Sequence, residues 1–479
     1  MNSTHTQAAA PRQPRRALAL DALRGYAIMT MILSSSIAFG TLPAWMYHAQ
    51  TPPPTNALDT SVFGITWVDL VFPFFLFSMG AALPLSLGRR LAKGESARSL
   101  LGKSVARWVE LTFFAIFMRH CSPDMLGYGE AWLNNLTPLV AVGLMSLMFL
   151  PNPFGLSRAG GIYVRCAAYA AALVMLLVQP YAGGRPFSLD DSDTIMLILA
   201  NVSLTGSAVY LLTRGRPAAR VAVLPFVVAL FAAGATEGSW AKGLLDFSAL
   251  PWLYRPRFQE YLLIVLPATL AGEWLSEWMR KTRGAGHSGN KAGAAVVGAG
   301  ALGVVVCNVA LLFSRSLVAN LVATALLAAL VGWALRRPLG ATADFWRKLW
   351  RAGTYLLTLG LCFEAYEGGI RKEDVTVSFL LVTCGLAFFA LLFFSVVCDH
   401  FQASAVSRPL GMVGRNPMLA YVSLPLVAYP LLSLPGWLDE VVVLGRVNAF
   451  AGVMQGVVLT AFCMGLTALC TLRGLFWKT

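Results

Sequence analysis

Apolar runs long enough to cross a bilayer as helices recur from one end of this chain to the other, separated by short polar connections. They fall at roughly 18–40, 66–87, 108–119, 134–150, 162–181, 193–213, 219–235, 258–279, 292–313, 316–335, 352–366, 375–398, 417–434 and 447–472. None keeps the strict two-residue alternation of a membrane strand, and backbone polar groups in lipid must be satisfied within their own segment. The pattern therefore predicts an all-α, polytopic helical membrane bundle of about fourteen spans, within a range of about 10–14. The third and eleventh runs are short and are expected to be re-entrant or half-helices. Pro73, Pro84, Pro138, Pro267 and Pro425 fall inside runs and predict kinks, which are common where a bundle encloses a cavity.

Composition agrees with a membrane setting. Charged residues make up 13% of the chain and hydrophobic residues 57%, whereas a soluble domain carries about 25% charged residues. The net charge of +14 would suggest nucleic acid in a soluble protein. Here topology accounts for it, and no nucleic-acid partner is expected. With the N-terminus inside, the clusters Arg12–Arg16, Arg89–Arg107, Arg280–Lys291 and Arg336–Arg351 all fall on the inner side. About nine of the 37 lysines and arginines fall outside, an inward bias that places both termini in the cytoplasm. Residues 1–17 read as a cytoplasmic tail and 18–479 as one integral-membrane domain. The first apolar run has no small-residue cleavage site and reads as an uncleaved helix. Lys281–Lys291 reads as a flexible Gly/Ser-rich linker. The eight cysteines form no CxxC and no Cys/His cluster, so neither a disulfide framework nor a metal is expected. No phosphate-binding glycine loop, HExxH or Gly-x-Ser-x-Gly stands in a fitting context.

Candidate chemistry concentrates in residues 18–88. His48 lies in the first outer loop, within LPAWMYHAQTPPP (42–54). A histidine there can act as a general base or a nucleophile near neutral pH. It can equally be an interfacial residue of an aromatic belt with Trp45 and Tyr47. Asp69, near the outer end of the second run, can orient His48 or bind a cation. It can also serve as the third residue of a helix capped by Thr66. Asp21 and Arg24 share a helical face at the inner boundary, as an ion pair or, for Arg24, as a phosphate ligand. Arg89, Arg90, Lys103 and Arg107 carry the inner charge bias and could contact phosphate. Arg415 and Asn416 precede a helix start, with Asn416 as cap and Pro417 as first residue, or as an anion site. His120 with Arg119, and Glu364 with Glu367, are expected at solvated outer helix ends. His5, His287 and His400 are expected in loops without a role.

The order LALDALRG (18–25), apolar helix, loop histidine, GITWVDLVFPFFLFSMG (64–80) resembles the transmembrane acyltransferases that include heparan-α-glucosaminide N-acetyltransferase. It is most similar to the bacterial branch from sugar-catabolic clusters. GRNPMLAY (414–421) is similar to that family's second motif near the C-terminus. The resemblance implies transfer of an acetyl group from cytoplasmic acetyl-CoA to the amine of glucosamine or a related amino sugar on the far side of the membrane. His48 matches the family's catalytic histidine. Ser35 stands near a family asparagine and is taken with His48 and Asp69 as the catalytic set. Arg24, Lys103, Arg107, Arg415 and Asn416 are the expected acetyl-CoA contacts, and Trp45, Trp67 and Glu367 the expected acceptor contacts. A bacterial inner membrane and a possible homodimer complete the expectation. The alternative is an inner-membrane transporter for amino sugars or chitin-derived saccharides, which length and proline-broken helices would also suit.

Overall fold

The computed structural model describes residues 17–151, 154–282 and 290–478. The N-terminal tail up to Arg16, with His5, and most of the Gly/Ser-rich linker, with His287, lie outside the described residues.

Helices account for nearly all of the regular secondary structure; one isolated bridge, Leu126 with Tyr181, is the only β pairing among the described residues. In chain order the helices are α1 (Leu18–Ser36), α2 (Val71–Ala92), α3 (Ala97–His120), α4 (Ala131–Phe149), α5 (Arg158–Val178), α6 (Thr194–Leu212), α7 (Pro217–Gly234), the short α8 (Trp240–Asp246), α9 (Leu262–Lys281), α10 (Lys291–Phe313), α11 (Leu317–Ala334), α12 (Ala343–Glu367), α13 (Val377–Phe394), α14 (Ser404–Gly414), α15 (Pro417–Val422), α16 (Tyr429–Ser433), α17 (Trp437–Val447) and α18 (Ala449–Leu472). Short polar residues start many of them. Ser96, Ser157, Asp193, Ser239, Asn290, Thr376 and Asn448 each accept a backbone N–H of the first turn, satisfying donors that a helix start leaves open.

Nine described helices are long and apolar enough to cross a membrane, so the protein is a multi-pass helical membrane protein. α1, α3, α9, α12 and the broken segment Pro417–Ser433 supply the other helical runs that the hydropathy pattern marks. The structure corrects the third and eleventh runs. Neither is a half-helix: α3 has 24 residues and α12 has 25. Their inner turns are built from Arg98, Lys103 and Arg107, and from Arg347, Lys348 and Arg351, which hydropathy does not register but a helix accommodates readily. Pro425 breaks its run through a π-helical turn, Ser423–Ala428, where the missing N–H is absorbed. Pro84, Pro138 and Pro267 lie inside helices, whereas Pro73 sits in the first turn of α2, where it costs nothing. His400 is not a loop residue; it ends a second π-helical turn, Ser395–His400, with its ring 5.5 Å from that of Trp346.

α13 forms the centre: 89% of its apolar window is buried, against 17% for α5 and α7 at the periphery. Apolar surface left facing outward on α5, α7, α11 and α18 is what lipid contact requires. The inner pairs approach through glycine. A Cβ on Gly414 would lie 2.0 Å from the Asp21 carbonyl, one on Gly25 1.9 Å from the Leu410 carbonyl, and one on Gly272 2.1 Å from the Ala81 carbonyl. Without a hydrophobic drive between helices in lipid, such backbone proximity supplies the packing. Both described ends of the chain meet at this glycine-packed side: Asn416 donates to the Leu475 carbonyl and accepts from the Trp477 N–H. Gly414→Ala is expected to destabilise the fold by about 1–3 kcal/mol, as overpacking does, read as a lower thermal midpoint in detergent.

Candidate functional site

The connection between α1 and α2 is a folded loop, not a tether. Tyr47 Oη donates to the Ala38 carbonyl at 2.6 Å and accepts from the Leu42 N–H. Buried Gln50 donates to the Val62 and Gly64 carbonyls. Thr66 Oγ1 donates to the Tyr47 carbonyl at 2.6 Å. These bonds hold His48 against the start of α2, at the end of the bundle opposite the two described termini.

Asp69 is fully buried there. Its Oδ1 lies 2.6 Å from His48 Nδ1. Its Oδ2 accepts the Thr66 N–H at 2.8 Å and the Ala49 N–H at 3.2 Å. Thr66 Oγ1 accepts the Val68 N–H in return. Asp69 thus makes the carboxylate half of a capping box, on the Thr66 N–H ahead of the 3-10 turn Val68–Leu70 that leads into α2, and also holds the histidine. An ionised carboxylate can only accept, so His48 Nδ1 is the donor to Oδ1, and in the neutral imidazole this leaves the lone pair on Nε2. The His48 side chain is 36% exposed, so that lone pair is reachable.

Lys372 completes the site from the α12–α13 connection. Its Nζ lies 3.2 Å from His48 Nδ1 and 3.4 Å from Nε2. The ammonium is thus within hydrogen-bond distance of both ring nitrogens. The Lys372 backbone N–H donates to Gln50 Oε1, and Glu373 lies 3.4 Å from its Nζ. Beside it, the Gly64 N–H donates to the Ile370 carbonyl and Arg371 to the Thr60 carbonyl. Sequence reasoning missed Lys372. The available signal was that Arg371 and Lys372 are adjacent basic residues on the side where the charge bias leaves few.

The remaining candidates separate. Ser35, exposed on the last turn of α1, lines a cavity of about 650 Å³ whose wall includes Met31, Asp193, Leu424 and Tyr421 but not His48. Here Tyr421 Oη donates to the Asp193 carboxylate, at 2.9 and 3.0 Å from its two oxygens. An apolar gap continues from this cavity between Ala27, Val71, Phe75 and Pro417, and Val71 lies two residues beyond Asp69. Phe39 joins the cavity wall to the histidine loop by stacking on Tyr47, ring centroids 5.9 Å apart. Trp45 is exposed, and Trp67 is half-buried with an indole N–H that has no partner among the described residues.

Several expected ligands do structural work instead. Arg24 donates to Ser78 Oγ, the Ser78 carbonyl and the Gly414 carbonyl, tying α1, α2 and α14 where a phosphate contact was expected. Lys103 pairs with Glu95, Arg415 stacks on Phe476, and Asn416 holds the C-terminal segment instead of capping the helix that Pro417 begins. Arg107 remains exposed on α3. Glu367 accepts the Val377 and Ser378 N–H groups at 2.8 and 2.9 Å, one at each carboxylate oxygen, and so caps α13. Glu364 is buried and pairs with Arg315 at 2.6 Å. His120 is buried rather than solvated, between the rings of Tyr181 and Phe187. Glu367→Ala is expected to lower stability by about 0.5–2 kcal/mol, the range for a lost cap, read as a lower thermal midpoint.

The profile of a family described as a domain of unknown function, DUF5009, matches residues 16–275. This is more than half of the chain, and the protein belongs to that family. No curated protein matches it.

Proposed function

We propose that this DUF5009 member is an integral-membrane acyltransferase, moving an acetyl group from cytoplasmic acetyl-CoA to the amine of glucosamine or a related amino sugar on the other side of a bacterial inner membrane. The observation that carries the reading is the His48–Asp69 pair, a reachable imidazole held at 2.6 Å by a buried carboxylate. The motif order that led to it lies mostly within the matched region, and the resemblance to the heparan-α-glucosaminide N-acetyltransferase family supplies the donor and acceptor.

In this reading His48 Nε2 removes a proton from the acceptor amine as the nitrogen attacks the thioester carbonyl. The N–C bond forms, the C–S bond breaks, and the proton passes from Nε2 to the departing thiolate. Asp69 stabilises the transient imidazolium, as a triad carboxylate does. Lys372 brings a positive charge to the side where the thioester oxygen becomes negative. The 650 Å³ cavity and the apolar gap beneath it suit a pantetheine arm kept from water. Arg107 and Lys103 are the members of the expected phosphate set left exposed, Lys103 beside Glu95.

Radiolabelled acetyl transfer from acetyl-CoA to glucosamine, by purified protein in liposomes, tests this. Wild type should label the sugar. His48→Ala should lower kcat by about 10²–10⁴-fold, the range for losing a general base. Near-wild-type turnover of that variant removes His48 from the chemistry. Absence of transfer, with glucosamine accumulating inside the liposomes, establishes the transporter instead.

A further inference from the structure

At the end of the bundle opposite His48, the end of α11 and the start of α12 enclose a second pocket of about 680 Å³, lined by Trp333, Arg336, Arg347, Trp350 and Arg351. Every charged residue in its wall is an arginine. None of the three has an ion-pair partner among the described residues. The nearby acids are committed elsewhere: Asp344 pairs with Lys348, and Glu277 with Lys281 and Lys348. Arg337 extends the cluster, its guanidinium 4.1 Å over the Trp333 ring.

The pocket does not stand alone. It shares Ala329 and Trp350 with a groove of about 480 Å³ that runs along α11, α12 and α13 past Leu321, Leu357, Leu361 and Phe389. Trp350 is fixed at the junction by its indole N–H, which donates to the Ala328 carbonyl at 2.9 Å. One helical turn further along the groove, Thr354 Oγ1 is buried without a hydrogen-bond partner. The sequence along the site is therefore an all-positive pocket, one unused hydroxyl, then an apolar trough with exposed Leu321 and Ala325 at its edge.

We propose that this is a built site for an anionic glycerophospholipid. The arginines would hold the phosphate by charge-assisted, bidentate bonds. Thr354 would donate to a glycerol-ester carbonyl, and one acyl chain would fill the trough. A free nucleotide would use the arginines but leave the trough empty, so the lipid is the occupant that accounts for both halves. Basic pockets between transmembrane helices on the cytoplasmic side bind anionic headgroups in this way, and the topology proposed above puts the pocket there. The site is remote from His48 and stands whatever the reaction proves to be.

Native mass spectrometry of delipidated protein, with phosphatidylglycerol and phosphatidylcholine added at equal concentration, tests it. Wild type should retain phosphatidylglycerol in preference. Arg347→Gln/Arg351→Gln should reduce that retention about tenfold or more, as expected for two lost phosphate-side charges, with the thermal midpoint held. Arg336→Gln, at an exposed position, gives a smaller loss in the same direction and serves if the double variant fails to fold. Thr354→Val should weaken retention with the arginines intact. Equal retention of the two lipids, or unchanged retention in the arginine variants, overturns the proposal. Displacement of phosphatidylglycerol by coenzyme A from wild type, abolished in the variants, assigns the arginines to a nucleotide instead.

Discussion

A carboxylate sealed from water governs this end of the molecule. Buried and charged, Asp69 is tolerable only if every lone pair finds a donor. It collects the Thr66 N–H ahead of the turn that leads into α2, the Ala49 N–H of the loop, and His48 Nδ1. One group thereby caps a helix, folds a loop and sets the tautomer of an imidazole. Removing it would leave three donors without their partner at once, so the local fold and the readiness of the histidine are the same property. Lys372 joins through its side chain at the imidazole nitrogens and its backbone on Gln50, coupling the α12–α13 connection to the α1–α2 loop across more than three hundred residues of chain.

The opposite end follows a different logic. Its helices meet through glycine and backbone at Gly25 and Gly414, and a basic side chain ties elements together there. Arg24 spans α1, α2 and α14 through Ser78 and Gly414. Arg336, Arg347 and Arg351 have no ion-pair partner among the described residues, since Asp344 and Glu277 pair with lysines. Between the ends, α13 is packed on almost every face, which lets it carry no polarity pattern and still hold the bundle's centre.

Hydropathy placed the helices well because lipid forces a long apolar run into a single regular structure. It shortened α3 and α12, whose inner turns are arginine- and lysine-rich, since a helix emerging from the bilayer changes composition without changing conformation. His48 and Asp69 were legible together because they lie twenty-one residues apart in one motif segment. Lys372 was not, because only the fold brings it to the imidazole. The same limit hid the structural partners of Glu367, Asn416 and Arg24. Each looked like a ligand by residue type and position, and each spends its polar atoms on backbone groups or a serine that periodicity cannot locate. Ser35 lies on the helix face that turns toward Tyr429 and the cavity of about 650 Å³, a matter of helical phase that a motif position does not resolve.

The central claim is that Asp69 holds the proton on His48 Nδ1 and leaves Nε2 as the reactive atom. Nitrogen NMR of protein labelled with ¹⁵N-histidine, with His48→Gln to assign the signal among five histidines, reads this directly. The account predicts a protonated Nδ1 and an unprotonated Nε2 for His48, and loss of that single tautomer in Asp69→Asn. A protonated Nε2 with a bare Nδ1 in the wild type would contradict it.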